Sequence, residues 1–265
     1  RGWGGPEARS ALARAYELAY ALDSGTHLAA TLLALSFTYA GQGEIQKALA
    51  VGEELLQLAH QVEDPLFRAA AHQSVGLAFV LRGEFRTARE HLEEALRLYD
   101  TQPAASFDLL MGLDEKVTCL TWLAWAIWPL GYADQGAKYS EAAIARARQL
   151  GQPATLAFAL AIDGALFHSF RREPEAAQAH QQELLGLAAA SGLVVFQVLA
   201  RITEGLSLTE QGQVEQGIAQ IRQGTAAWQA MGTATGRVMH LEVLARAYRA
   251  AGQIEQALGT VDEAL

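Results

Sequence analysis

The stretch YAGQGEIQKALA, Tyr39 to Ala50, joins one apolar helical run to a second through a glycine turn. Stretches of the same shape recur as VLRGEFRTARE, PLGYADQGAKY, SFRREPEAAQA, TEQGQVEQGIA and RAAGQIEQALG. If the turn residue of each is taken as a mark, the marks are Gly43, Gly83, Gly131, Arg172, Gly212 and Gly252, spaced by 40, 48, 41, 40 and 40 residues. A fixed period of this size predicts a repeat protein built from stacked units of the same kind.

Two small residues keep a fixed relation to each mark, one seven positions before it and one five positions after it. Antiparallel helices need small side chains where their backbones approach most closely, so this register predicts that each repeat is a pair of packed helices. The predicted packing pairs are Ser36 with Ala48, Gly76 with Ala88, Ala124 with Gly136, Ala165 with Ala177, Gly205 with Gly217, and Ala245 with Ala257.

Prolines support the helix boundaries, because Pro65, Pro153 and Pro174 each fall where a helix is expected to begin, a position at which the missing N–H costs nothing. The predicted helix pairs span 23–62, 63–101, 113–151, 152–191, 192–231 and 232–265, with an insertion at 102–112. Residues 1–22 are expected to be the second helix of a truncated repeat. We therefore interpret residues 1–265 as a single array and a fragment of a longer protein.

Composition limits the partners that this array can bind. The net charge is −9, the pI is near 5.3, and no run of Lys or Arg reverses this charge locally, so neither nucleic acid nor an anionic membrane surface is expected as a partner. The uncharged stretch from Val117 to Ala133 is at the short limit of a membrane span and contains Pro129 and Gly131. We therefore do not expect a transmembrane segment there.

No pattern in the chain predicts catalytic chemistry, so we expect no enzyme activity, catalytic residue, cofactor or metal ion. Neither a Walker-type phosphate loop nor H-E-x-x-H is present. His168 is expected to be a packed side chain. Cys119 is the only cysteine, which rules out an internal disulfide. It lies in an apolar run, which predicts an inert buried thiol, and this cysteine usage favours a cytoplasmic location.

The repeat resembles the tetratricopeptide repeat (TPR) family, whose pattern places an aromatic residue three positions after the small residue of the first helix. Tyr39, Phe79 and Tyr248 fill that position here, although the period is 40 where the family usually has 34. The resemblance implies an all-α, right-handed solenoid of antiparallel helix pairs, a TPR-like superhelix with a period of about 40, forming one continuous domain.

A narrower resemblance rests on KVTCLTWLAWAIWPLGYADQG, residues 116–136, and LTEQGQVEQGIAQIRQGTAAWQAMGT, residues 208–233. These stretches resemble the C-terminal TPR region of bacterial signalling proteins that contain a STAND-type ATPase. Such proteins also carry a class III adenylate or guanylate cyclase, a kinase or a transcriptional-regulator domain. The resemblance implies a non-enzymatic interaction or sensor module that regulates an ATPase-coupled signalling protein through a concave apolar groove.

In TPR arrays the first helix of each pair lines the inner surface. Trp122, Trp125 and Trp128 are spaced by three residues, so they share one side of their helix, and the family pattern turns that side inward. The resemblance predicts a groove formed by Phe37, Leu77, Trp122, Trp125, Trp128, Leu166, Phe170 and Leu206. Because only Arg246 and Arg249 are basic at inner positions, the basic clamp that some TPR domains use for acidic chain ends is not expected.

Several functions remain open at this point. The groove could bind a protein or peptide, as an amphipathic helix or apolar segment, including a domain of the parent chain. It could instead pack on itself, or be covered by Phe107, Leu109, Leu110 and Met111 of the insertion. Two further alternatives are a small-ligand sensor with an aromatic pocket and a structural scaffold that forms homo-oligomers through its terminal helices.

Overall fold

The computed structural model describes residues 6–22, 24–62, 64–101 and 112–264, and these residues form thirteen helices and no strand. The all-α prediction is therefore confirmed. The helices are α1 (Pro6–Ala21), α2 (Gly25–Gly41), α3 (Ile45–Val62), α4 (Pro65–Arg82), α5 (Phe85–Asp100), α6 (Glu115–Ile127), α7 (Ala133–Leu150), α8 (Pro153–Phe170), α9 (Pro174–Ala190), α10 (Val194–Glu210), α11 (Val214–Ala230), α12 (Arg237–Ala250) and α13 (Ile254–Ala264).

The turn inside each helix pair has a backbone requirement that explains the repeated glycine. All six marks have a positive φ, from 62° at Arg172 to 93° at Gly131. This left-handed conformation ends a helix with little strain when the residue is glycine. Arg172 is the exception, and among the described residues it is the single non-glycine with a positive φ.

The small residues of the predicted register lie where paired helices meet. In the pair α10 and α11, a Cβ added to Gly205 would lie 2.8 Å from the carbonyl oxygen of Gly217. In the pair α4 and α5, a Cβ on Gly76 would lie 2.7 Å from Cγ of Leu92 and 3.4 Å from the carbonyl oxygen of Ala88. Larger side chains would push these helix axes apart.

The chain divides into two compact units. The first unit runs to Thr155 and the second begins at Leu156, in the first turn of α8. The first unit has a core that includes Leu92, Leu123 and Ile127. The second is organised around a cluster that includes Ile202 and Ile221. Each core fills the space between neighbouring helices of its own unit.

Helix α8 departs from regular α geometry in its middle, where Leu160–Phe167 form a π-helix. Gly164 lies in this segment, and a Cβ there would be 2.6 Å from Cβ of His180 on α9. The wider turn therefore accompanies a very close approach of two paired helices. Among the described helices, α8 is the one long and apolar enough to cross a membrane, and 72% of it is buried by the protein itself.

The predicted insertion at 102–112 contains Phe107, Leu109, Leu110 and Met111. All of it except its last residue, Gly112, lies outside the described residues. The expectation that the insertion covers the tryptophans therefore stays a prediction.

Candidate functional site

Helix α6 and its C-cap residue, Trp128, present three tryptophans along one edge, and the rest of the helix is buried apart from Lys116. Leu120, Leu123 and Ile127 are in the core, whereas Trp122, Trp125 and Trp128 each keep part of their surface accessible. We call these three residues the tryptophan row. Their spacing of three residues places them within a third of a helical turn of one another, so they form a continuous aromatic strip.

The base of the tryptophan row is held by the helices that precede it. Trp122 packs against a cluster formed by Ala40, Ala48 and Leu77, on which Phe37 also packs. It also packs against the larger core cluster of the first unit, which includes Leu92. The row therefore lies in the layer of first helices α2, α4 and α6, the layer that the TPR resemblance turns inward.

The start of α6 is fixed by a buried polar network, so the tryptophan row is presented by a rigid helix. Asp114 accepts hydrogen bonds from Nε and Nη2 of Arg146, each at 2.7 Å. Its carboxylate also accepts a hydrogen bond from the backbone N–H of Val117 and so caps the helix. Gln73 donates to the carboxylate of Glu115 at 2.9 Å and accepts a hydrogen bond from the hydroxyl of Tyr99 at 2.9 Å.

The remaining groove residues divide into two groups. Phe37 and Phe170 are partly exposed. Leu77, Leu166 and Leu206 are only 6%, 1% and 3% exposed, so the structure places them in the core, where they cannot form an open wall. The physical reason is that a leucine on a first helix is short enough to be enclosed by adjacent helices, as Leu206 is by the cluster that contains Val243.

The second unit contains a separate, polar pocket of about 430 Å³. Its lining combines aromatic, acidic and basic side chains with one proline: Phe170, Arg172, Pro174, Glu210, Glu242, Arg246 and Arg249. Phe170 ends α8 and Glu210 ends α10, whereas the last three residues are on α12. Since positions 242, 246 and 249 are separated by four and three residues, they share one face of α12.

Arg246 links the helices around this pocket. Its Nη2 donates to the carboxylate of Glu210 at 2.9 Å, and its Nη1 donates to the hydroxyl of Ser169 at 3.2 Å. Glu242 is less well satisfied, because its nearest ion-pair contact is Nε of Arg246 at 3.8 Å and its Oε2 is buried without a hydrogen-bond partner. Burial raises the pKa of Glu242, although Arg246 and Arg249 oppose this effect.

The sequence identified Arg246 and Arg249 as basic inner positions but missed the two glutamates. Glu242 precedes Arg246 by four residues on the same helix, a spacing that could have indicated a shared face. Glu210 had no such signal, because it comes close to Arg246 only through the packing of α10 against α12.

Cys119 and His168, the other side chains considered in the sequence, are both packed against neighbouring residues. Cys119 is fully buried, and burial raises the pKa of its thiol. Nδ1 of His168 lies 2.6 Å from the carboxylate of Glu173, and its ring stacks on His180. Across the part of the chain that the structure describes, no group of three or more His, Cys, Asp or Glu side chains could hold a metal ion.

Comparison with known proteins supports the repeat assignment. Residues 28–101 match the tetratricopeptide repeat family model. No curated protein matches the chain.

Among solved structures, the chain is similar to BtubC (BKLC) from P. vanneervenii, with a TM-score of 0.57, 18% identity, and coverage of 83% of this chain and 89% of that chain. It is also similar to a Rap protein complexed with Competence and Sporulation Factor, with a TM-score of 0.66, 14% identity, and coverage of 89% and 74%. For aspartyl phosphate phosphatase F from Bacillus subtilis the TM-score is 0.61, the identity is 10%, and coverage is 93% and 73%.

At these identities the similarity establishes the fold alone. Together with the family match and the helix pairs, it confirms the central prediction from the sequence. A fold of this type suggests a protein-interaction or peptide-binding module. The protein is a TPR-like array of antiparallel helix pairs.

Proposed function

We propose that this protein is a non-enzymatic interaction module whose tryptophan row binds an amphipathic helix or apolar segment of a protein partner. The observation that carries the proposal is the partial exposure of Trp122, Trp125 and Trp128 along one edge of a largely buried helix and its C-cap. Aromatic residues of this kind supply a large share of the affinity at protein interfaces.

The geometry of the tryptophan row suits a helical partner. Three anchors spaced by three residues run along the α6 axis, and an amphipathic helix offers apolar side chains at a similar spacing along its own axis. Because Trp122 is packed on the core, little of the entropy of this side chain is lost on binding.

The regulatory part of the proposal concerns an ATPase-coupled signalling protein. It is supported by the resemblance of residues 116–136 and 208–233 to the TPR regions of STAND-type ATPase proteins. The bound segment would then belong to the ATPase module or to another domain of the parent chain. Occupancy of the tryptophan row would favour one conformation of the array over another and so restrain or release the catalytic domains.

The binding experiment uses a designed peptide with no net charge. The peptide forms a helix of about 18 residues, or about five turns, with leucines on one face and alternating Glu and Lys elsewhere. Its control has the same composition with the leucines spread around the helix. Fluorescence anisotropy of the labelled peptides should show at least about tenfold tighter binding of the patterned peptide. Equal affinity, or no binding of either peptide, would contradict the proposal.

The regulatory experiment measures ATP hydrolysis by a purified STAND-type ATPase module in the presence of this protein. We expect the protein to change the hydrolysis rate, and a variant with Trp125→Ala and Trp128→Ala to lose most of that effect. An equal effect of the two proteins would refute regulation through the tryptophan row while leaving peptide binding to be judged by the first experiment.

A second candidate function, a self-associating scaffold, is favoured by exposed apolar side chains on the terminal helices. Leu18, Tyr20 and Leu22 are exposed at the end of α1, and Leu258 and Val261 are exposed on α13. Sedimentation of the wild-type protein and of Leu258→Lys tests this function. A scaffold predicts an oligomer that the substitution dissociates, whereas a wild-type monomer at high concentration would exclude it.

A further inference from the structure

Two histidines on paired helices bring the same ring nitrogen together. Nδ1 of His72 on α4 lies 3.2 Å from Nδ1 of His91 on α5. The ring centroids are 5.2 Å apart, so both Nδ1 atoms lie between the two rings. The residues are 19 positions apart in the sequence, a spacing that matches no common metal-binding motif. Only the packing of α4 against α5 brings them together.

This separation is close to the one that a tetrahedral metal ion requires of two nitrogen ligands. Zinc binds imidazole nitrogen at about 2.0–2.1 Å with tetrahedral angles, which places two such nitrogens about 3.3–3.4 Å apart. A hydrogen bond between the rings also accounts for the contact, provided that one ring carries its proton on Nδ1 and the other does not. An ion is bound when both rings carry their proton on Nε2, so transfer of one ring proton from Nδ1 to Nε2 prepares the pair.

The surroundings keep both rings in the neutral form that coordinates a metal ion. Burial lowers the pKa of His72 to about 4, and the neighbouring His91 adds to this effect. Burial lowers the pKa of His91 as well. Both residues nevertheless keep part of their surface accessible to solvent.

The charges around the two rings favour a cation. The groups that act on the rings through their charge are Glu53, Glu90, Glu94, Arg68 and His60. Glu94 also accepts two hydrogen bonds from Arg97. Three carboxylates therefore face two guanidinium groups, which leaves one net negative charge when His60 is neutral.

We propose that His72 and His91 together bind Zn²⁺, or a chemically similar transition-metal ion, through their Nδ1 atoms, so that the ion bridges α4 and α5. Among the described residues, no third His, Cys, Asp or Glu is placed to join them. Water therefore occupies the remaining coordination positions, which distinguishes this site from a closed structural zinc site. Because the two nitrogens are held together only in the folded chain, the bound ion stabilises the helix pair.

The test titrates the untagged protein with Zn²⁺ and follows the histidine ring nitrogens by ¹⁵N NMR. We expect the Nδ1 signals of His72 and His91 to shift as one ion binds, and the midpoint of thermal unfolding to rise with the zinc concentration. Mg²⁺, which prefers oxygen ligands, should change neither. If these two signals did not move, or if the shifts were confined to other histidines, the proposal would be overturned.

Variants localise the ion. His72→Gln and His91→Gln should each weaken zinc binding by about tenfold or more, because each removes one of two ligands. His60→Gln is the matched control, since it removes an exposed histidine close enough to act on His72 through its charge, and it should leave the affinity unchanged. Urea denaturation without metal shows that each variant is folded. Wild-type affinity in His72→Gln, or an equal loss in His60→Gln, would contradict the proposal.

Acidification distinguishes this pair from exposed histidines. Because the pKa values of both rings are lowered, zinc binding should persist as the pH falls through 6.5, the ordinary pKa of histidine, and should weaken only at lower pH. Loss of binding near pH 6.5 would assign the ion to exposed histidines and so overturn the proposal. The site does not depend on the tryptophan row, and substitution of Trp125 or Trp128 should leave zinc binding unchanged.

Discussion

Ser36 donates a hydrogen bond from its hydroxyl to the backbone carbonyl oxygen of Ala48, 2.9 Å away on the paired helix. The two residues are twelve positions apart, which is the spacing that recurs around every turn mark. The same hydroxyl lies 2.5 Å from Oγ of Ser74 on α4. The small-residue register thus marks a direct backbone approach within a pair and a contact to the next pair.

The close approach of Gly205 to Gly217 should not tolerate any added side chain. In Gly205→Ala the new Cβ meets the carbonyl oxygen of Gly217 at 2.8 Å and the amide nitrogen of Ile221 at 3.0 Å. Both are backbone atoms that cannot move aside, so we expect a loss of about 1–3 kcal/mol in the free energy of unfolding. Gly186→Ala on α9 is the matched control. It meets nothing within 4 Å and should stabilise the protein by up to about 1 kcal/mol. Urea denaturation measures both, and equal stabilities would contradict the packing described here.

Replacement of the one non-glycine turn mark should stabilise the protein. Arg172 has a φ of 62°, a conformation that costs an L-residue about 1–2 kcal/mol. Arg172→Gly removes this strain but adds freedom to the unfolded chain, so we expect a net gain of about 1 kcal/mol. Arg201→Gly, at an exposed position inside α10, should lose about the same amount. A loss of stability in Arg172→Gly would show that the side chain contributes more than the backbone strain costs.

The ion pair between Asp114 and Arg146, at the start of α6, should contribute far more to the stability of the fold than an exposed ion pair does. The side chain of Asp114 is only 9% exposed and that of Arg146 is 25% exposed, so Arg146→Met leaves a nearly buried carboxylate without its cation. We expect unfolding to become easier by about 3–5 kcal/mol. Removal of the exposed pair between Arg14 and Glu17 by Glu17→Gln should cost less than about 1 kcal/mol. A double-mutant cycle on Asp114 and Arg146 that gave a coupling near zero would argue against this contribution.

Stability should fall on mild acidification because of a buried histidine. Burial lowers the pKa of His240 from 6.5 to about 4. The residue is only 2% exposed, and its ring and that of Trp228 are in T-shaped contact. A lowered pKa means that the folded state holds the neutral ring. The contribution of the neutral ring to stability is therefore complete above pH 6.5 and is lost as the pH falls toward about 4. At that pH the free energy of unfolding should be lower by about 3 kcal/mol.

Unfolding measured across this range in His240→Gln, which cannot titrate, should show a correspondingly shallower pH dependence. His27→Gln, at an exposed position, serves as the control and should follow the wild-type curve. If His240→Gln also followed the wild-type curve, the acid sensitivity would have another origin.

Much of the fold follows from features that are local in sequence. The turn marks recur because a left-handed residue is needed at each turn, and Pro65, Pro153 and Pro174 are the first residues of their helices. Helical periodicity also places Trp122, Trp125 and Trp128 on one edge, since an angle of 100° per residue is a property of every helix.

Other features depend on contacts between distant residues and so could not be inferred from the sequence. The burial of Leu166 and Leu206 is set by how closely neighbouring helices approach. The polar pocket requires Glu210 and Arg246, 36 residues apart, to meet. The π-helix around Gly164 reflects the close approach of His180, and the division after Thr155 depends on contacts summed over the whole chain.

The most direct test of the proposed function compares the affinity of the patterned amphipathic peptide for three proteins: wild type, a double variant with Trp125→Ala and Trp128→Ala, and Tyr20→Ala. Tyr20 is a 71% exposed aromatic residue on α1, so its removal controls for the loss of exposed aromatic surface. We expect the double variant to bind about 10-fold to 100-fold more weakly, because it loses two interface anchors, and Tyr20→Ala to bind as the wild type does. If the double variant remained folded and bound the peptide with wild-type affinity, the tryptophan row would not be the binding surface.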